Sequence, residues 1–300
     1  MAFHKRVALI AGATASGKSA LALEMARARG GVIINADAMQ VYGDLRILTA
    51  RPSEWDEQAA PHRLFGHVSG AEVYSVARWL ADAVVEIEAA WRAGALPIVV
   101  GGTGLYFSAL ENGLAVMPPV PQEVRLKWRA CLADEGAAAL HQRLKTSDPD
   151  AYSRLKPMDA QRILRALEVA DATGKPLAHW QAQTRPHAAM AGAGYEHHFV
   201  HLDRAALYQR AELRFDAMLE QGALEEVAAL PPLPADKPVM KAIGVPDLQA
   251  HLRSQLSLTE AAALAKTATR HYIKRQLTWW RGKGSEFVSL ASPGGIGTKG

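Results

Sequence analysis

The sequence predicts an α/β fold: a parallel sheet flanked by helices, with an all-helical domain inserted into it. Three observations carry that prediction. Short apolar runs alternate with amphipathic helical stretches up to about residue 116, the pattern of parallel strands joined by crossover helices. A glycine-rich segment, GATASGKS from Gly12 to Ser19, lies between the first apolar run and the first helical stretch. After MPPVP at Met117–Pro121, strand signal nearly vanishes until about His197.

The elements follow in order. Val7–Ala11 is an apolar run bounded by Gly12 and reads as a buried strand. Lys18–Ala28 reads as a helix with Leu21, Leu23 and Met25 near its apolar side. GVIINAD is a second buried strand ending at Asp37, and RLFGHV, Arg63–Val68, is a candidate third. YSVARWLADAVVEIEAAWRAG is the clearest helix: Ser75 can cap it, Leu80, Val84, Ile87 and Trp91 share a face, and Gly94 ends it. LPIVVGGTGLY is a strand broken at Gly101-Gly102. Two helices, each closed by a glycine at Gly136 and Gly174, occupy the strand-poor region. HHFVHLD returns as a strand, two long helices follow over Arg204–Gly222 and Thr259–Gly282, and EFVSL is a candidate last strand. The expected domains are a P-loop core over 1–116, a helical insert over 117–196, a return to the core over 197–290, and a frayed tail over 291–300.

Composition narrows the function classes. The chain has 300 residues, enough for one larger and one smaller domain, and 49% hydrophobic residues, which excludes a disordered chain. A net charge of +4 permits a nucleic-acid partner without requiring one. The single cysteine, Cys131, forms no internal disulfide and points to a reducing, cytoplasmic setting. MAFHKRVALIAGATA has the outline of a signal peptide, but a strand entering a phosphate loop explains the same letters better. No run approaches the ~20 apolar residues of a membrane span, so no membrane partner is expected. His197-His198 lacks further ligands at a spacing that suits zinc.

Gly12, four residues, then Gly17-Lys18-Ser19 fits the phosphate-loop pattern, with a strand before it and a helix after it. Glycines let the backbone N–H groups of Gly12, Ala13, Thr14, Ala15, Ser16, Gly17, Lys18 and Ser19 wrap an anion, and the helix N-terminus adds positive charge. Lys18 is placed to reach phosphate oxygens and Ser19 to ligate Mg²⁺. NTPases of this kind usually hold a carboxylate at a neighbouring strand end. Here one strand ends in Asp37 and the other in GGTG, with Thr103 and no carboxylate. Asp37 reads equally as a cap for AMQVY, a Mg²⁺ partner or a general base, and Thr103 as a turn residue or a site residue.

GATASGKS, NADAMQVYGDLRILTARPS, PHRLFGHV, YSVARW, PIVVGGTGLYFSALENGL, DAQRILRALEV and TRHYIKRQLTWWRG occur in this order from about Val7 to Gly282. The set strongly resembles the bacterial tRNA dimethylallyltransferases, also called isopentenyl-tRNA transferases. That resemblance implies two substrates, dimethylallyl diphosphate and tRNA. The prenyl group passes to N6 of the adenosine 3′ to the anticodon, and diphosphate leaves. It implies that the loop holds the leaving group, that Asp37 is the general base, that Thr103 bonds near the reacting adenosine, and that Arg270 helps neutralise the diphosphate. The implied tRNA contacts, gripping the anticodon stem-loop, are Asp37, Ala38, Met39, Gln40, Thr103, Arg125, Gln161, Arg162, Ile163, Leu164 and Arg165. A monomer is expected.

One segment departs from the family. Members often continue AIGY with a basic residue, whereas this chain reads KAIGVPDL, with Val245-Pro246 there and Lys241 as a compensating cation. The competing reading is a P-loop small-molecule kinase or NTPase, which leaves GGTG and the basic insert unexplained. The ATP-binding label follows from the loop motif alone, and ATP is not an expected substrate. A third class, an RNA-binding module without catalysis, has no use for Asp37.

Overall fold

β1, Arg6–Gly12, is buried along its length after Arg6, which places it inside a sheet covered on both faces. The computed structural model describes residues 5–282 and 288–291. Gly12 leads through the loop to α1, Lys18–Arg29, then β2, Gly31–Asn35, α2, Glu54–Ala59, β3, His62–Arg63, α3, Val76–Arg92, and β4, Leu96–Gly101. α4, Gly104–Asn112, is followed by α5, Gln122–Ser147, α6, Pro149–Arg154, α7, Ala160–Thr173, and α8, Leu177–Gln181. The chain then forms β5, Gly194–His201, α9, Arg204–Glu220, α10, Ala223–Ala228, α11, Val245–Leu252, α12, Leu258–Arg281, and β6, Val288–Ala291.

The strands form one sheet in the order β3-β2-β4-β1-β5-β6, every neighbouring pair parallel. The α/β fold with flanking helices therefore stands. Ser75 caps α3 by accepting the Arg78 N–H, and Leu80, Val84 and Ile87 are buried, as their spacing predicts. Trp91 is half-buried and donates its indole N–H to the Arg6 carbonyl. The expected strand over Arg63–Val68 shrinks to His62–Arg63 because Leu64 turns to φ +63° and leaves the sheet. Val68 makes only an isolated bridge to Tyr42. On α1 the fully buried positions are Ala22 and Ala26, with Leu21, Leu23 and Met25 packed around them.

The chain divides into two compact units, one of residues 1–110 with 188–300, the other Glu111–His187. The helical unit thus starts and ends earlier than the expected 117–196. Leu114 bridges Arg185 antiparallel and closes this unit's own neck. Residues from Gly194 already pair with β1, so they belong to the sheet. Within the helical unit, Trp128, Leu140, Leu144, Ile163, Ala166 and Leu167 form the core. Gly136 breaks α5 with φ +80° and ψ 167°, but the chain resumes helix at once rather than ending there. The expected 291–300 tail lies, from residue 292 on, outside the described residues. No helix among the described residues is long and apolar enough to cross a membrane.

Candidate active site

The loop Gly12–Ser19 joins β1 to α1 at the carboxyl edge of the sheet, where parallel α/β sheets present ligand sites. Ala15 (φ +64°) and Gly17 (φ +92°) are both left-handed. Left-handed residues in so short a loop bend the backbone sharply, as the N–H concavities that take anions require. Ser16 is buried, and its hydroxyl finds no partner among the described residues. A polar donor held this way in a concave loop fits a site that meets phosphate oxygens. Lys18 rests its ammonium 3.3 Å from the Ala13 carbonyl. Burial pushes the Lys18 ammonium down to about 8, against an opposing pull from Asp37 and with a smaller push from Arg214. Ser19 is exposed at the start of α1.

Two strand ends face this loop. After β2, buried Asn35 accepts the Asp37 N–H at 2.8 Å and donates to the Asp37 and Leu64 carbonyls. Asp37 in turn accepts the Met39 N–H at 2.9 Å through Oδ1. It therefore caps a turn, not a helix, and its second carboxylate oxygen takes no part in that bond. After β4, each glycine of GGTG admits a different neighbour. A Cβ on Gly101 would lie 2.0 Å from the Ala36 carbonyl oxygen, one on Gly102 2.2 Å from Gln276 Nε2, and one on Gly104 2.2 Å from the Trp279 ring. Thr103 accepts the Ala38 N–H at 3.0 Å and ties the two strand ends together. Beneath them Trp79 stacks on Tyr106 with ring centroids 4.3 Å apart and donates to the Asn35 carbonyl.

α9 and α12 close the site. Ala13 packs with Leu207, Ala211 and Ile273, which seats both helices on the loop. Arg214 Nη2 donates to the Thr14 hydroxyl at 2.7 Å. Burial lowers the Arg214 guanidinium, and the Asp37 charge opposes that shift. Gln276 accepts the Thr14 N–H and donates to the Gly102 carbonyl. Burial raises the Tyr272 phenol, with Asp37 adding to the shift and hydrogen bonding to Thr103 and Gln276 opposing it. A cavity of about 590 Å³ opens beside Arg214, lined among others by Ile47, Arg51, Trp55 and Met218.

The structure brings together the loop, Asp37 and Thr103, but not Arg270. The Arg270 guanidinium pairs with Glu212 on α9 and donates to Thr267, which turns its charge to an interhelical ion pair. The arginine at the loop is Arg214, a correction to the sequence expectation. Neither Arg214 nor Gln276 was singled out from the sequence. Both carried a signal: Arg214 borders the apolar stripe Leu207, Ala211, Phe215 and Met218, and Gln276 lies among Ala265, Ile273 and Trp280. A polar side chain in a buried stripe needs a partner.

The expected RNA-contacting residues divide between the units. Ala38 and Met39 form the turn after Asp37, and Gln40 spends its amide N–H groups on the Thr49 and Ala50 carbonyls. Lys241 is exposed. Val245 is fully buried and Pro246 sits in the first turn of α11, where a missing N–H costs nothing. In the helical unit Arg125, Gln161 and Arg162 are exposed, and Arg162 lies 3.6 Å from the Asp159 carboxylate. Arg165 is half-buried and reaches the Met117 sulfur, and Leu164 packs at the core's edge. Ile163 is fully buried in that core, so its side chain serves packing and cannot touch RNA, a second correction.

The sequence pattern described as IPP transferase matches residues 40–283. The chain belongs to the IPP transferase family. A second pattern, described as isopentenyl transferase, matches residues 5–65, which include the loop. Among IPP transferase relatives, proteins named tRNA dimethylallyltransferase from Azorhizobium caulinodans and Methylobacterium nodulans are 55% and 54% identical. They align over 91% and 92% of this chain and 88% and 91% of their own lengths. The crystal structure of a full-length tRNA isopentenylpyrophosphate transferase from Bacillus halodurans is similar at a TM-score of 0.69 and 30% identity, covering 96% of this chain and 90% of that one. A eukaryotic dimethylallyltransferase acting on tRNA gives a TM-score of 0.78 at 28% identity, covering 96% of this chain and 74% of that one. The match over 40–283 takes in the helical unit, so the insert is part of the family pattern.

Proposed function

We propose that this protein transfers the dimethylallyl group of dimethylallyl diphosphate to N6 of the adenosine 3′ to the anticodon of tRNA, releasing diphosphate. The observation that carries the reading is one arrangement. A phosphate loop with two half-buried cations, Lys18 and Arg214, faces a strand end whose carboxylate, Asp37, is close enough to act electrostatically on both. Such a site neutralises a leaving anion on one side and accepts a proton on the other.

The step balances on these groups. The allylic C1–O bond breaks as the C1–N6 bond forms, and both bonding electrons of the old bond leave with the diphosphate. Loop N–H groups, Lys18 and Arg214 stabilise that charge where it develops. The adenine amine is a weak nucleophile because its lone pair is shared with the ring. Its proton passes to Asp37, a contribution typically of ~10²–10⁴-fold for a positioned base. Thr103 holds the Asp37 turn and offers its hydroxyl beside the acceptor. In the helical unit, exposed Arg125, Gln161 and Arg162 are the side chains assigned to the anticodon stem-loop. The target base must be drawn from the loop stack to reach Asp37.

The donor set fits a Mg²⁺ ion that arrives with its substrate. No group of three His, Cys, Asp or Glu side chains among the described residues forms a cage. Exposed Ser19 would supply one hydroxyl ligand, with diphosphate oxygens and water making up the rest of the usual Mg²⁺ shell. When bound there, Mg²⁺ adds charge neutralisation to the leaving diphosphate.

The test is mass analysis of tRNA after incubation with the protein, Mg²⁺ and dimethylallyl diphosphate, beside a reaction holding ATP instead. One dimethylallyl unit on one anticodon-loop adenosine, formed without ATP, supports the reading. Unchanged tRNA with ATP consumed replaces it by the small-molecule kinase reading.

A further inference from the structure

Gln276 is a buried polar side chain, only 5% exposed, in the apolar stripe of α12. Both ends of its amide are used. Oε1 accepts the Thr14 N–H at 2.9 Å, and Nε2 donates to the Gly102 carbonyl at 3.1 Å. The opposite amide orientation would set donor against donor and acceptor against acceptor, so only this one satisfies the site. Gly102 has no side chain where a Cβ would meet Nε2 at 2.2 Å, so the glycine is what lets the amide reach in. One turn earlier on the same helix, Tyr272 lies beside Thr103.

The loop needs such an anchor. Ala15, next to Thr14, is left-handed without being glycine, a strained conformation that persists only where the surroundings impose it. The bonds that fix Thr14 are those from Gln276 and Arg214. Of these two, Gln276 alone also holds the β4 end.

We propose that Gln276 is a positioning residue that sets the distance between the diphosphate-binding loop and the Thr103 side of the site, holding leaving group and acceptor in one register. This rests on the reading that the loop binds diphosphate. A misplacement of about 1 Å between reacting groups can cost ~10²-fold in rate. The bridge therefore acts on turnover more than on folding.

Three measurements test it together. Hydrogen exchange on the full-length protein reads the Thr14 amide, which is expected to be protected in the parental protein and to exchange faster in Gln276→Met. Methionine keeps the volume and loses both bonds. Calorimetry with inorganic diphosphate is expected to show about tenfold weaker binding by Q276M, and turnover to fall at least tenfold with KM for tRNA within about twofold. Q276E gives a readout that packing alone does not move. Its protonated acid presents a carbonyl to Thr14 and a hydroxyl to Gly102, as the amide does, and its carboxylate does not. The ratio of Q276E to parental turnover is expected to rise as pH falls through the range in which the carboxyl, held above its usual value by burial, takes up its proton.

A fast-exchanging Thr14 amide in the parental protein, or a flat Q276E ratio, overturns the positioning role and leaves the loop's ligand intact. So does a folded Q276M with parental diphosphate affinity and turnover. A parental protein that binds no diphosphate overturns the loop reading and this proposal with it. Where Q276M fails to fold, parental Thr14 protection and the Q276E ratio decide.

Discussion

Arg214 and Thr14 meet across 200 residues of chain, guanidinium to hydroxyl at 2.7 Å. That contact sets a half-buried cation from α9 against the rim of the phosphate loop. Arg214→Ala is expected to lower kcat/KM for dimethylallyl diphosphate by about 10²–10³-fold, the range seen when one preorganised donor to a developing anion is removed. Its affinity for tRNA should stay near parental. Arg270→Ala should leave the loop's chemistry in place and cost about 0.2–1 kcal/mol, the ordinary value of a partly exposed ion pair. Steady-state kinetics of the two variants side by side would separate them.

Asp37→Asn keeps an oxygen for the Met39 N–H but cannot take a proton. Prenylation is expected to fall about 10²–10⁴-fold with tRNA binding retained. Filter binding and a single-turnover assay on the same preparation would show it, and parental turnover would remove Asp37 from the chemistry.

Lys18 gives a pH dependence with a defined sign. Its ammonium titrates at about 8 in the ligand-free protein, and a bound anion favours the charged form and raises that value. Diphosphate binding is thus linked to proton uptake, and affinity falls as pH rises through about 8. Stability runs the other way. The folded value lies below the unfolded one, so burial of the charged group costs stability below about 8, and that cost is relieved as pH rises toward 10.5. Calorimetric titration of parental protein and Lys18→Arg across this window checks it, because arginine keeps its charge throughout and only the parental protein should show the lysine step.

Gly101→Ala drives a methyl to 2.0 Å from the Ala36 carbonyl oxygen, at the point where β2 gives way to Asp37. Backbone must move. The expected loss is about 1–3 kcal/mol in chemical denaturation, with turnover falling alongside. A variant with parental stability would mean the two strand ends are not held this closely.

In the helical unit, Ile163→Ala should cost about 2–5 kcal/mol by opening a cavity in the core. Neighbouring Arg162→Ala should barely change stability and instead weaken tRNA binding and its salt dependence. Thermal melts with salt-titrated tRNA affinities would distinguish the buried position from the exposed one.

The features legible in the sequence were the local ones. The loop announces itself by fixed spacing, Ser75 by its position before an amphipathic run, and Asp37 and Thr103 by ending strands. Arg214 was not legible as the loop's cation because its role is set by α9 packing on Ala13. Its place beside an apolar stripe marks it as needing a partner but does not say that the partner is the loop. Ile163 was misread for the converse reason: family motifs mark a segment, while burial decides side chain by side chain. The short helices α6, α8 and α10 span five or six residues each, too few for a helical period to show.

The Thr14–Gln276 bond joins positions 262 residues apart. During synthesis, β1 and its loop emerge long before α12. The loop sequence is therefore present on a nascent chain long before anything can brace it. A product cut short before α12 carries every letter of GATASGKS and still lacks the brace, so loss of a distant segment alone should silence the site while the motif stays intact.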